Sequence, residues 1–274
     1  MKKKITWKSV LWILLLILII IIVAFPLYWM FIGAFKTKNE FFTNPPVFSL
    51  KPLRTNAFQV ALFGIGGKGL KDSLIIASFS TIISLFIGAL AAHGIVHYHI
   101  GKKNLIFIFL VIQMMPPVSL AIPLFLMFNE LKLLDTYVAL IISNTVFNLP
   151  YAIWLLTGFY EEIPESILEA GKIDGASNLT IFTKLVLPLV KPGLMATGFF
   201  TFIFGWNEFI LAFTFCRTKV KPLTVAIPTM VGSDTIVWEQ VYATSIVAIV
   251  PVLILAIFMQ KYLIRGLSFG AVKE

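Results

Sequence analysis

From about Val10 to Phe35 the chain runs without a charged residue, longer than the roughly 20 apolar residues that cross a bilayer as a helix. A secretory leader has an apolar core of only about 7–15 residues followed by a small-residue cleavage site. This run is longer and ends on Pro26, Tyr28, Trp29 and Met30. It reads as a retained first span with an aromatic belt at the membrane interface, and Lys2, Lys3, Lys4 and Lys8 before it are expected to stay in the cytoplasm.

Five more apolar runs follow, at about Ser73–Val96, Leu105–Phe128, Tyr137–Tyr160, Gly193–Phe215 and Val241–Ile264. The sequence thus predicts an all-α integral membrane protein with six transmembrane helices, forming a single domain over residues 1–274. Composition agrees: 59% of residues are hydrophobic, 13% are charged and the mean hydropathy is +0.94, against about 25% charged in soluble domains. External loops are expected at about 36–71, 130–136 and 217–240, with a cytoplasmic insert at about 161–192. Six spans place both termini on one side. This topology divides the 22 Lys and Arg into 12 inside and 10 outside, so the orientation rests on the N-terminal cluster.

The net charge of +9 sits at the edges of apolar runs, where anionic headgroups account for it without nucleic acid. Cys216 is the only cysteine, which excludes an intrachain disulfide or a multi-cysteine metal site. Gly64, Gly66 and Gly69 satisfy G-x-G-x-x-G but lack a preceding strand and a following Lys-Ser/Thr, so they read as a flexible external turn, not a phosphate loop. His93, His97 and His99 lack a third ligand type nearby, and headgroup contact is the better reading than zinc. Small residues along the second span, among them Ala77, Ser80, Ser84 and Ala92, suit close helix packing.

Some polar and helix-breaking residues lie inside the runs. Met115-Pro116-Pro117 and Pro123 interrupt the third, as a pathway kink or a structural bend. Ser143, Asn144, Asn148 and Pro150 in the fourth must face protein or a water-filled cavity, with interhelical hydrogen bonding as the plain reading. In the fifth, Trp206, Asn207 and Glu208 are expected to face a pathway or a partner, because an intramembrane carboxylate marks a functional site by default. No paired carboxylates, triad or metal set can be assembled, so no enzyme is expected.

The insert EEIPESILEAGKIDGASNLTIFTKLVLPLVKP, residues 161–192, differs from everything around it. Pro164 suits a first helical position, with Glu165 beside it in the first turn. Ile163, Ile167 and Ala170 fall at i, i+4 and i+7 opposite an acidic face of Glu162, Glu165 and Glu169. Gly175 sits where a helix ends and Ser177 can cap a second helix, while Pro188 and Pro192 shape the entry to the next span. A helix–turn–helix results, with Ala170 and Gly171 small enough for close approach to a groove on another protein.

Glu169-Ala170-Gly171, then Gly175, then Leu185-Val186-Leu187-Pro188 resembles the EAA signature of binding-protein-dependent ABC importer permeases, usually E-A-A-x3-G-x9-I-x-L-P. Gly171 stands where the pattern has its second alanine, and Leu185 where it has isoleucine. MMPP (114–117), AIPLF (121–125), LLDT (133–136), NLPYAIWLL (148–156), IDGAS (173–177), LPLVKPGL (187–194), WNEF (206–209) and GLSFGAVK (266–273) are similar to the carbohydrate branch of that family, its maltose-permease G-type subunits.

The resemblance implies a type I ABC importer permease fold and a multi-pass subunit of the cytoplasmic membrane. It implies pairing with a second permease subunit, two ATPase subunits inside and a solute-binding protein outside. No cofactor would be bound directly; ATP and Mg would sit on the ATPases. Glu165, Glu169, Ala170, Gly171, Asp174, Gly175 and Pro188 would form the ATPase-coupling element. Val231, Gly232, Ser233 and Asp234 would contact the binding protein, and Gly266, Gly270 and Lys273 would belong to a tail that contacts the ATPases. The implied solute is a sugar or oligosaccharide; the alternatives are the same fold importing another solute, or a proton-coupled carrier with Glu208 as relay.

Overall fold

A computed structural model describes residues 7–48, 54–232 and 236–268, and among them no strand occurs. The helices are α1 (Trp7–Gly33), α2 (Asn56–Phe63), α3 (Ile65–His97), α4 (Lys102–Gln113), α5 (Pro117–Glu130), α6 (Tyr137–Glu161) and α7 (Glu165–Ile173). They continue with α8 (Asn178–Leu189), α9 (Lys191–Asn207), α10 (Ile210–Phe215), α11 (Leu223–Val231) and α12 (Trp238–Ser268).

Four stretches are long and apolar enough to cross a membrane: Trp7–Gly33, Asn56–His97, Tyr137–Glu161 and Trp238–Tyr262. Two bent pairs join them, Asn104–Gln113 with Pro117–Glu130 at 86° and Asn178–Leu189 with Lys191–Asn207 at 74°. Taking each pair as one span gives up to six, in line with the expected count. The first bend follows from Pro116-Pro117. A residue before proline is pushed out of the α region, and Pro116 is extended at φ −66° and ψ 135°.

Two expected loops contain helices. The 36–71 stretch holds a 3₁₀ turn at Lys38–Phe41, all of α2 and the start of α3, so Gly64, Gly66 and Gly69 do not form a flexible turn. Ala57 and Ala61 are buried on α2, and that burial outweighs the local glycine content. The 217–240 stretch holds α11, organised by buried Leu223, Val225 and Ala226. The fifth run ends as a helix at Asn207, is extended at Glu208 (φ −65°, ψ 123°) and resumes as α10.

The chain forms two compact units: one takes in residues up to Gly67 together with Ile227–Ile249, the other Lys68–Ala226 together with Val250 onward. In the first, α1 exposes its apolar surface along nearly its whole length, with only Ile32 and Gly33 buried, as lipid contact requires. Beyond it Lys36 is 5% exposed. Its ammonium lies 4.0 Å from the Trp29 ring centre, a cation–π contact, and Phe41 stacks on Tyr242 at 5.6 Å.

In the second unit, small residues let the long helices approach. Ala77, Ser80, Ser84, Ala89 and Ala92 of α3 are buried, as are Asn144, Asn148, Thr197 and Thr201 of α6 and α9. The Asn148 amide donates to the Thr201 carbonyl at 3.2 Å, the interhelical bond expected of that residue. Two apolar clusters result. One gathers Ile76, Phe128, Leu140, Leu211, Phe215 and Val225; the other gathers Leu156, Tyr160, Leu168, Ile181, Phe182 and Val186 around the insert.

The segment 217–223 is tied down by carboxylates and a hydroxyl. Asp135, itself at φ 60°, accepts the backbone N–H groups of Arg217, Thr218, Lys219 and Val220 at 2.8–3.1 Å. Asp72 accepts from the Tyr137 hydroxyl at 2.6 Å and from Lys221 N–H at 2.7 Å, and Ser73 accepts from Leu223 N–H at 2.8 Å. Burial alone would raise the Asp135 carboxyl, but the four N–H donors hold it well below the usual carboxylate range.

Candidate functional site

The insert folds as a rigid helix–turn–helix. Pro164 is extended (φ −60°, ψ 134°) and stands just before α7 in the N-cap position, one residue earlier than expected. At the other end Gly175 adopts φ +75°. Its N–H donates to the Lys172 carbonyl and that of Ala176 to the Gly171 carbonyl, both at 3.0 Å, the bond pair of a Schellman stop. Ser177 then caps α8 by accepting Thr180 N–H at 3.2 Å. Within α8, residues Ile181–Val186 take π-helical form.

The inward face of α7 matches the expected one in part. Ile163 is buried and Ile167 packs half-buried against the same cluster, but Leu168 and Gly171 are buried beside them and Ala170 is exposed. A Cβ on Gly171 would stand 2.8 Å from Leu185 Cδ1 and 3.1 Å from Ile181 Cγ1. Gly171 therefore serves contact with α8 of its own chain, not approach to a partner. What α7 and its turn offer outward is Glu165, Glu169, Ala170, Lys172, Ile173 (85% exposed), Asp174 and Gly175. Pro188 is exposed on the last turn of α8. Burial pushes the Glu162 carboxyl upward at the base of the insert.

A cavity of about 860 Å³ opens beside α7, lined among others by His97, His99, Asn104, Glu161 and Glu165. The expected headgroup contact does not hold for His93, which is 7% exposed. Its ring centre lies 4.9 Å from Phe182 and 5.8 Å from Tyr160, and His97 lies 5.0 Å from His93. The rings fill an aromatic cluster under the insert. Among the described residues no group of three or more His, Cys, Asp or Glu is placed to hold a metal ion.

A second cavity of about 380 Å³ lies where the breaks after α4 and α9 face the middle of α6. Asn207 and Glu208 line it, but Trp206 does not. Trp206 is 6% exposed and stacks on Phe202 at 5.5 Å, so it faces its own fold. Glu208 accepts the N–H groups of Leu211 at 2.7 Å and Ala212 at 3.0 Å, capping α10. Its carbonyl accepts from the Thr224 hydroxyl at 2.8 Å. Gln113, Phe147, Phe204 and Phe209 also line the cavity; sequence reasoning had not picked them out, although Gln113 directly precedes the Met-Met-Pro-Pro break.

Val231 and Gly232 are exposed at the end of α11. Ser233 and Asp234 lie outside the described residues, as do Gly270 and Lys273, while Gly266 lies within α12.

A family described as the binding-protein-dependent transport system inner membrane component matches residues 84–269. The chain belongs to this family. As a member of it, the chain is a multi-pass permease subunit of an ABC transporter, a transport component and not an enzyme. A probable ABC transporter permease of Sinorhizobium fredii is 34% identical over 98% of this chain and 97% of the relative. The trehalose/maltose transport system permease MalG of Thermococcus litoralis is 33% identical over 97% of each. A bacterial ABC transporter involved in import of the acidic polysaccharide alginate shares the fold, at TM-score 0.79 and 22% identity, covering 96% of this chain and 98% of the other. The type I permease fold expected from the EAA resemblance is thus the fold of this chain.

Proposed function

We propose that this permease carries a sugar or oligosaccharide inward as one of two membrane subunits, forming half of the pathway and coupling it to ATP hydrolysis on two cytoplasmic ATPase subunits. The observation that carries the reading is the insert. A rigid, capped helix whose outward surface is acidic and small, anchored from beneath by Leu168 and Gly171, is suited to seat in a groove of another protein and transmit a push. Glu169, with Glu165, Ala170, Asp174, Gly175 and Pro188 around it, makes that contact, and ATP with Mg stays on the partner.

In this reading both termini are cytoplasmic, and the tail with Gly266, Gly270 and Lys273 adds to the ATPase contact. The solute-binding protein docks from outside near Val231, Gly232, Ser233 and Asp234. Sugar as the solute is supported by the curated relatives for trehalose/maltose in Thermococcus litoralis and for melibiose, raffinose and stachyose in Bacillus subtilis. Asn207 and Glu208 belong to the pathway wall.

Glu169→Lys tests the coupling. The variant should insert in the membrane at normal levels yet lose ATPase co-purification and ATP-driven uptake. Normal co-purification and uptake in that variant would remove the docking role.

A further inference from the structure

His93 and His97, at the C-terminal end of α3, belong neither to the outward surface of the insert nor to the cavity at the helix breaks. They stand at i and i+4, the spacing that places two side chains on one helix face. Their ring centres lie 5.0 Å apart at an interplanar angle of 62°. The Tyr160 ring of α6 closes the group, at 5.8 Å from His93 and 6.0 Å from His97. His93 is 7% exposed and Tyr160 is fully buried. Three polar atoms in this group, His93 Nδ1, His97 Nε2 and the Tyr160 hydroxyl oxygen, are buried without a hydrogen-bond partner. Leaving buried polar atoms unpaired is costly, and aromatic packing alone does not require it, since phenylalanine rings would fill the same space without that cost.

We infer that His93 and His97 are the paired ligands of a divalent transition-metal ion, with the Tyr160 hydroxyl and solvent completing its coordination. Neutral imidazole nitrogen suits zinc, nickel and copper, whereas magnesium and calcium take oxygen ligands. Two histidines at i and i+4 converge on one ion from a single helix face. Imidazoles bonded to one tetrahedral ion at about 2.0–2.1 Å bring their ring centres to about 5 Å, the separation already present here. His97 also lines the cavity of about 860 Å³ beside α7, which gives the ion a path in, and Glu161 and Glu165 on the same cavity offset its charge. Among the described residues no group of three or more His, Cys, Asp or Glu is placed to hold a metal. The site therefore offers two protein nitrogens and holds an exchangeable ion, unlike a four-ligand structural zinc. Phe182 of α8 lies 4.9 Å from His93, so the ion sits directly beneath the insert and ties α3 to α6 there.

The test uses the complete transporter purified in detergent without a polyhistidine tag or nucleotide, with Co²⁺ as the spectroscopic probe and Zn²⁺ as its competitor. Titration of the wild type should give the visible absorption of tetrahedral cobalt, saturating at one ion per copy of this chain and displaced by Zn²⁺. Octahedral cobalt on oxygen ligands absorbs only weakly and does not mask it. His97→Gln and His93→Phe should each lose that absorption, and His99→Gln, altered at an exposed neighbour, should keep it. If His93→Phe does not assemble, His97→Gln carries the test, since His97 is only half-buried. Zn²⁺ should raise the melting temperature of the wild type and leave that of His97→Gln unchanged. Equal absorption in the wild type and His97→Gln, which means an adventitious ion only, overturns the assignment. So does a loss of absorption in His99→Gln alone. Neither result bears on the importer reading, which the inference does not use.

Discussion

Gly171 and Leu185 touch: a Cβ on Gly171 would fall 2.8 Å from Leu185 Cδ1. These are the two positions at which the insert departs from the E-A-A-x3-G-x9-I-x-L-P pattern, so the departures are one event in space. Removing a methyl from α7 makes room for the longer reach of leucine from α8. The prediction is non-additivity. Gly171→Ala overpacks the contact and Leu185→Ile leaves it underfilled, and each should lower the melting temperature of the purified protein. The double variant should recover wild-type melting, a coupling of about 0.5–3 kcal/mol. Additive losses would show that the contact does not link the two.

Asp135 yields a pH prediction. Its carboxylate lies below its unfolded value because four backbone N–H groups favour the charged form. A depressed carboxyl contributes stability above the unfolded pKa of about 3.9, and that contribution is lost as pH falls through the folded value. Melting temperature should therefore be insensitive to this group between pH 7 and 5 and fall in more acidic buffer. Asp135→Asn keeps a residue tolerant of positive φ but turns an amide NH₂ toward two N–H donors. It should cost about 1–3 kcal/mol at pH 7, toward the low end because the site is partly exposed, and should flatten the acid limb. An acid limb identical to that of the wild type would count against the role of the Asp135 bonds to residues 217–220.

How much of this was visible in the sequence depends on where the deciding contact lies. The spans were legible because lipid imposes length and polarity within each segment. The Gly175 stop and the Ser177 cap were legible because their partners lie within a few residues. The packed face of α7 was legible only in part. Ile163 and Ile167 pack inward with Leu168, but whether Ala170 or Gly171 joins them is decided by Ile181 and Leu185, beyond the turn, which close on Gly171. Trp206 was expected to face a pathway or a partner together with Asn207 and Glu208, but Phe202, one turn earlier on the same helix, stacks on it and it is buried. Asp135 looked like an ordinary turn residue, since its bonding partners lie more than 80 positions away.

Gly175 has φ +75° and nothing within 4 Å of an added Cβ. Substitution there therefore tests backbone conformation alone. Gly175→Ala should cost about 1–2 kcal/mol, the penalty of the left-handed region for an L-residue, and Gly175→Asn less, because asparagine enters that region more readily. Coupling between ATP hydrolysis and uptake should weaken in the same order. Equal behaviour of Ala and Asn variants would mean that the turn's geometry is not what the coupling depends on.

Glu208 separates the importer from a proton-coupled carrier. Both carboxylate oxygens accept backbone N–H groups of α10, and its own carbonyl accepts from Thr224. A group so engaged is positioned to hold the break after α9, not to shuttle a proton. Glu208→Gln keeps one oxygen acceptor and should retain at least a third of wild-type uptake. Glu208→Ala removes the cap, should destabilise by about 1–2 kcal/mol and should lower uptake further. A relay predicts the reverse emphasis: the isosteric amide cannot carry a proton, so Gln and Ala would abolish transport alike. ATP dependence gives the second readout. Uptake into proteoliposomes that requires internal ATP and survives an uncoupler fits the cap, whereas ATP-independent uptake abolished by the uncoupler would return Glu208 to the role of relay.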